Sequence, residues 1–157
     1  MRRIRVSDGS FDVATEAAAL QAGRTDVGAT VSFVGYCRGE AGTLAALELE
    51  HFPGMAEAEM ERIAGEAEGR WPLLGVAIVH RCGRVRPGEP IVLVATASAH
   101  RAAAFAGAAF IMDFLKTDAP FWKREHRVDV TANPKAAESW VAAKGGDDAA
   151  RERWREG

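Results

Sequence analysis

Two lysines of the chain lie on either side of a predicted turn and have arginines close by. Lys116 and Lys123 flank Asp118-Ala119-Pro120, and Arg124 and Arg127 follow within a few residues. A lysine that is desolvated or crowded by other cations has a lowered pKa and can act as acid, base or nucleophile. A solvated surface cluster is the alternative, and the spacing alone leaves the two interpretations open.

A second set of cations stands before the longest apolar stretch. His100 and Arg101 follow Ser98, which we interpret as a helix N-cap, so both would lie in the first helical turn. A cation there opposes the helix dipole, and a bound anion would reverse the sign of that effect. Arg38 lies in a glycine-rich loop, where its planar fork could bind phosphate or carboxylate or could simply face solvent. Together these cations suit a small anionic ligand.

Thiol and metal chemistry have less support in the sequence. Cys37 and Cys82 form no Cys-x-x-Cys pair, so we interpret both as buried or incidental. We interpret His80, which ends an apolar run, as a strand residue at a sheet edge. No zinc-type spacing or phosphate-binding loop is present, so we expect no metal and no cofactor. The histidines are His51, His80, His100 and His126.

The element that would position these groups is a helix over Ala102–Leu115. Asp113 is the one ionisable residue in this stretch, and a helix that is apolar nearly all round is buried. Lys116 suits its C-terminal end and Pro120 prevents easy continuation. The large side chains expected to fill the core are Phe105, Phe110, Met112, Phe114 and Leu115.

The remaining pattern alternates strands with helices, which indicates an α/β or α+β domain with a mixed or antiparallel sheet. The predicted strands are Ile4–Val6 at an edge, Gly28–Tyr36, Leu44–His51, Val76–Arg81, a central Ile91–Ala97, and Trp122–Val130. The predicted helices are Phe11–Ala22 with Ser10 as cap, Met55–Arg70 with Met55, Met60 and Ile63 inward, and a short one after Pro134 through Trp140 and Val141. Residues 1–144 form one predicted domain, and residues 145–157 a polar C-terminal tail.

Composition restricts the class of partner. The chain has 157 residues and a net charge of −2, so no overall field attracts nucleic acid or a membrane surface. No N-terminal run is typical of a signal peptide, and no stretch approaches the length of a membrane span. A cytoplasmic location is therefore expected.

Five short motifs, in this order, resemble the large, catalytic subunit of molybdopterin synthase, and the resemblance extends from about Phe11 to Lys144. They are Val31-Ser32-Phe33-Val34-Gly35 followed by Arg38; Leu49-Glu50-His51-Phe52-Pro53-Gly54-Met55; His80-Arg81-Cys82-Gly83; Ser98-Ala99-His100-Arg101; and Asp113-Phe114-Leu115-Lys116 running into Pro120-Phe121-Trp122-Lys123-Arg124-Glu125.

The resemblance implies a sulfurtransferase that converts cyclic pyranopterin monophosphate (precursor Z) into molybdopterin by adding two sulfurs as a dithiolene. The sulfur would arrive as a thiocarboxylate on the C-terminal Gly-Gly tail of a small ubiquitin-like subunit. The implied assembly is a central homodimer with one small subunit at each end. The implied fold is an α/β hammerhead with an additional antiparallel β subdomain.

The resemblance also implies roles for particular residues. Lys116 and Lys123 match active-site lysines. Arg38, His100 and Arg101 match residues that hold the substrate phosphate, with part of each pocket supplied by the other protomer. Phe33 and Met112 match pocket-lining positions, and Lys144 matches a site where an arginine occurs.

Two other functions stay open on the sequence. The cationic cluster could belong to a non-catalytic module that captures the C-terminal carboxylate of a partner's tail. It could also serve a phosphometabolite enzyme unrelated to sulfur. A pure tail-binding module has no need of His100 and Arg101.

Overall fold

The computed structural model describes residues 1–128, 138–141 and 145–155. No helix within these ranges is both long and apolar enough to cross a membrane. Its elements in chain order are β1 (Arg2–Ser7), α1 (Val13–Ala18), β2 (Ala29–Tyr36), β3 (Leu44–His51), α2 (Met55–Arg70), β4 (Leu73–Arg81), β5 (Gly83–Val85), β6 (Pro90–Ser98), α3 (Arg101–Thr117), β7 (Phe121–Arg127), β8 (Glu138–Trp140) and α4 (Gly145–Glu152).

The strands of the described residues form two sheets. The first has the order β1-β4-β6-β2, in which β1 runs parallel to β4 and the other neighbours are antiparallel. The second has the order β5-β3-β7-β8 and is antiparallel throughout. The predicted α+β class, with an antiparallel subdomain added to a mixed sheet, is confirmed. The edge position of β1 and the interior position of β6 are confirmed as well.

The first sheet is buried on both faces, as β4 illustrates. Successive side chains of a strand point to opposite faces. Val76 and Ile78 face the core formed with α2 and α3, whereas Ala77 and Val79 face the second core, which contains Leu20. A nearly continuous apolar strand is what such two-sided burial requires.

Helix α3 lies against the first sheet and is largely buried, as predicted. A Cβ at Gly107 would lie 2.8 Å from Cδ1 of Leu73, so the absence of a side chain permits the close approach of the helix to β4. Phe105 was expected in the core and is 62% exposed, so that expectation was wrong. It lies one turn after Arg101, on the solvent side of the helix.

Two predicted helix starts were wrong. Helix α1 begins at Val13, and its N-cap is Asp12 rather than Ser10, because Oδ1 of Asp12 accepts the amide hydrogen of Thr15 at 2.6 Å. Ser98 ends β6, where its hydroxyl donates to the carbonyl of Pro72 at 2.9 Å. The N-cap of α3 is His100.

Helix α2 has the predicted bounds, but one predicted core contact is wrong. Met60 and Ile63 are fully buried, whereas Met55 is 55% exposed. Met55 is the first residue of α2, and the buried residues of the helix begin at the next position, Ala56.

The C-terminal region differs most from expectation. Glu138–Trp140, predicted as helix, is the strand β8, which pairs with β7 so that Trp140 lies opposite Arg124. Strand β7 ends at Arg127, and Val130, its predicted end, is outside the described residues. The predicted boundary at residue 144 lies outside them too.

The predicted polar tail contains helix α4 and a tryptophan that packs on the core. The ring of Trp154 lies 5.5 Å from that of Trp71 and 5.6 Å from that of Phe110, edge to face in both cases. Its indole N–H donates to Asp113 at 2.8 Å. The tail is therefore anchored to α3, because aromatic contacts and a partly buried hydrogen bond act together at this point.

Candidate active site

A cavity of about 420 Å³ opens where the C-terminal end of α3 meets β2 and β7. Its floor comes from the first sheet and its rim from the loop after β2. The lining residues are Phe33, Gly35, Tyr36, Arg38, His80, Ile91, Val92, Met112, Leu115, Lys116, Ala119, Phe121 and Lys123.

Helical and strand periodicity bring both lysines to this cavity. Met112, Leu115 and Lys116 are three and four residues apart and share one face of α3. Phe121 and Lys123 are two apart and share one face of β7. The turn that contains Pro120 reverses the chain between the two elements, so side chains seven residues apart in sequence meet in one space.

The opposite wall comes from β2 and the loop after it. Phe33 and Gly35 share a face of the strand, and a Cβ at Gly35 would lie 2.9 Å from Cγ1 of Val92. The pairing of β2 with β6 shifts register between Gly35 and Tyr36, after which the chain leaves the sheet toward Arg38. Five predicted site residues therefore line one cavity, namely Phe33, Arg38, Met112, Lys116 and Lys123.

The charge of the lining has one sign. Arg38, Lys116 and Lys123 are cations, and no lining residue within the described part of the chain carries a carboxylate. The ammonium of Lys116 is half exposed and lies 3.2 Å from Oδ1 of Asp147, which reaches it from α4. A cavity with cations, apolar walls and no acid of its own is suited to an anionic ligand.

His100 and Arg101 lie elsewhere in the single chain. They line a separate, open depression with Gly28 and Ala99 at the N-terminal end of α3. The fifteen residues from Arg101 to Lys116 correspond to about 22 Å along a helix axis. One chain does not bring these two residues to the lysines. Lys144, the remaining predicted site residue, lies outside the described residues.

His80 also lines the cavity, which was not predicted. The assignment of His80 to a sheet edge was wrong, because β4 lies between β1 and β6 and the side chain is 8% exposed. Burial, and secondarily the charge of Lys123, lower the pKa of His80 to about 4, although the hydrogen bond to Arg81 opposes this. The unbroken apolar run before His80 was the available signal, since it predicts an interior strand.

The two thiols are unsuited to nucleophilic chemistry. Cys37 is 3% exposed, as predicted, and burial raises its pKa. Cys82 is half-buried, and its pKa is raised chiefly by burial as well. A protonated thiol is a poor nucleophile, so the chemistry of the cavity depends on other groups.

Comparisons with known proteins place this architecture among relatives. The sequence model of the family described as MoaE protein matches residues 6–118. The molybdopterin synthase catalytic subunit of Rhizobium meliloti (strain 1021) is 60% identical over 151 residues, which cover 96% of this chain and 94% of that protein.

Solved structures agree with these sequence matches. The molybdopterin biosynthesis MoaE protein from Burkholderia ambifaria MC40-6 superposes with a TM-score of 0.80 at 48% identity, covering 98% of each chain. The molybdopterin synthase from Staphylococcus aureus superposes with a TM-score of 0.78 at 26% identity, covering 90% of this chain and 98% of that one.

Proposed function

We propose that this chain, which belongs to the MoaE protein family, is the catalytic subunit of a molybdopterin synthase. In this proposal it transfers sulfur from the thiocarboxylated C-terminus of a small ubiquitin-like subunit to cyclic pyranopterin monophosphate, which forms the dithiolene of molybdopterin. The observation that carries the proposal is the convergence of Arg38, Lys116 and Lys123 on one cavity whose described lining has no carboxylate.

The electrostatics of the reaction explain why such a cavity is needed. The pterin substrate carries a phosphate, and the sulfur donor is an anionic thiocarboxylate. Two like charges 4 Å apart repel by about 4 kcal/mol at an effective dielectric constant of 20. Cations that lie between them offset this repulsion and allow the two reactants to touch.

Four of the lining residues have a proposed role in the transfer. Lys123 holds the terminal carbonyl of the donor. As the sulfur forms its bond to the pterin carbon, Lys116 gives a proton to the departing oxygen, and water then cleaves the acyl–sulfur bond to leave a carboxylate on the tail. Phe33 and Met112 form apolar walls that exclude bulk solvent.

The phosphate site requires a second copy of the chain in this proposal. Arg38 lines the cavity of its own protomer, whereas His100 and Arg101 lie at the far end of α3. In a homodimer these two residues complete the cavity of the neighbouring protomer. Lys144 is proposed to assist there as a further cation.

A cytoplasmic location is part of the same proposal. Cys37 and Cys82 are free thiols in the structure, as a reducing compartment would keep them.

The decisive experiment supplies both reactants. The purified chain is incubated with thiocarboxylated small subunit and precursor Z, and the dithiolene product is detected after conversion to a fluorescent pterin derivative. We expect two sulfurs per product and regeneration of the carboxylate tail. Binding of the small subunit without any product would support the tail-binding module instead.

A further inference from the structure

Among the described residues that line the cavity, two polar side chains have no use in the proposed reaction. They are His80 and, at the rim, Tyr36. His80 closes β4 on the side of the sheet that faces α3, in line with Val76 and Ile78. The ring of His80 is 8% exposed and lies on the wall of a cationic cavity. Buried polar groups normally have hydrogen-bond partners, so both ring nitrogens must be accounted for.

The tautomer of His80 follows from its backbone contact. Nδ1 lies 2.8 Å from the carbonyl oxygen of Arg81. A carbonyl oxygen only accepts hydrogen bonds, so Nδ1 carries the proton. Burial keeps the imidazole neutral at physiological pH, with a pKa of about 4. Nε2 is therefore an unprotonated acceptor.

The position of the ring brings this acceptor near Lys123. The imidazole stacks on Phe121 with the ring centroids 3.6 Å apart and the planes inclined by 15°. Lys123 leaves β7 on the same face, two residues further on, which is about 7 Å along a strand. Its four-carbon stem spans that interval, and its charge acts on the imidazole. The other titratable group that acts on His80 from a neighbouring element is His51 of β3.

We propose that His80 is a positioning residue for Lys123, whose ammonium group donates a hydrogen bond to Nε2 and is thereby held over the cavity. A neutral acceptor suits this purpose because it orients the ammonium without neutralising it, as a carboxylate would. The contact itself is a property of the free chain. Its catalytic meaning rests on the proposed sulfur transfer.

Amine reactivity tests the contact without any turnover. The rate constant for acetylation of Lys123 by acetic anhydride is measured by mass spectrometry at one pH below the titration of the amine. Loss of the acceptor in His80→Phe raises the free-amine fraction, so we expect acetylation about tenfold faster, the equivalent of one hydrogen bond to a charged group. His80→Phe keeps a ring on Phe121, and therefore isolates the lost nitrogen.

Two variants serve as matched controls. His80→Gln places an amide oxygen near the position of Nε2, so acetylation of Lys123 should stay within about threefold of the wild type. His51→Phe removes the other histidine that stacks near Phe121, at 6.0 Å, and should leave the rate unchanged. An unchanged rate in His80→Phe, or equal increases in His80→Phe and His80→Gln, would overturn the proposal.

A spectroscopic measurement keeps the proposal testable if the His80 variants do not fold. The imidazole ¹⁵N spectrum of the wild-type chain should show Nδ1 protonated and Nε2 unprotonated, and Lys123→Met should shift the Nε2 resonance. A protonated Nε2, or an Nε2 resonance that does not shift in Lys123→Met, contradicts the hydrogen bond between Lys123 and His80. If the contact is present but the full reaction yields no dithiolene, the proposed function fails and the positioning role stands.

Discussion

Lys116 and Lys123 reach the cavity from different elements, the last turn of α3 and the strand β7. This difference separates their environments. Lys116 is half exposed and paired with Asp147, whereas Lys123 shares a wall with the buried imidazole of His80. The proposed division of labour, proton transfer by Lys116 and tail binding by Lys123, follows these environments.

Replacing Lys116 with alanine should lower single-turnover dithiolene formation by about 10²–10⁴-fold, the usual contribution of general acid–base catalysis. Affinity for the small subunit, measured by titration calorimetry, should change little because Lys123, and not Lys116, is proposed to hold the donor tail. Arg84→Ala, which removes an exposed cation from the second sheet, is the control and should react normally. Full activity in Lys116→Ala would remove this residue from the mechanism.

Replacing Cys37 with serine should leave sulfur transfer per folded molecule unchanged. Cys37 packs in the apolar cluster with Leu44, Leu49 and Val85, so the hydroxyl should cost about 1–3 kcal/mol of unfolding free energy. Denaturant unfolding measures the loss of stability, and product formation normalised to folded protein measures the chemistry. A folded but inactive Cys37→Ser would restore the thiol to consideration.

At the scale of elements, residue periodicity predicted most of the first sheet and both long helices. Helix α2 has the predicted bounds, and β6 extends the predicted central strand by one residue at each end. The wrong secondary-structure predictions fall where tertiary contacts override the local preference of the residues. Residues 138–140 have no strand pattern of their own and become β8 only through pairing with β7.

The site was predictable to the extent that it depends on local spacing. Lys116 and Lys123 form a recognisable pair because one turn separates them. His80 was not predicted as a cavity residue because its place there depends on Phe121. That residue is distant in sequence and stacks on His80 in the folded chain. No local pattern contains that contact.

The docking of the C-terminal helix yields a stability prediction. Trp154→Ala removes the edge-to-face contacts with Trp71 and Phe110 and leaves Asp113 without its indole donor. We expect a loss of about 2–4 kcal/mol in unfolding free energy, as for other large-to-small changes at packed sites. Arg155→Ala, which removes only an exposed pair with Glu152, should cost under about 1 kcal/mol in the same urea titration.

At the scale of the whole molecule, the distance between the ends of α3 is the reason why the proposed phosphate site needs a second copy of the chain. Arg38 and the two lysines are complete in one chain, but His100 and Arg101 are not near them. All of these residues could be identified from the sequence, but the sequence does not say which protomer supplies His100 and Arg101 to a given pocket. Mixing protein variants tests this directly.

Mixing two inactive variants should restore activity if His100 acts in the neighbouring protomer. A heterodimer of Lys116→Ala with His100→Ala has one pocket with both residues intact and one with neither. Equal amounts, after subunit exchange, should therefore recover about a quarter of the wild-type rate, since about half of the dimers are mixed and each has one intact pocket. A mixture that stays inactive after verified exchange would place His100 outside the pocket or within its own protomer's site.

Asp147 of α4 forms an ion pair with Lys116, although Asp147 itself does not line the cavity. In the proposed reaction, Lys116 must leave Asp147 before it can give a proton to the departing oxygen of the pterin. An exposed pair of this kind is worth at most about 1 kcal/mol, so breaking it should slow the reaction by no more than about fivefold. If Lys116 acts as proposed, we expect helix α4 to hold its ammonium in place until the reactants bind, at little cost in rate.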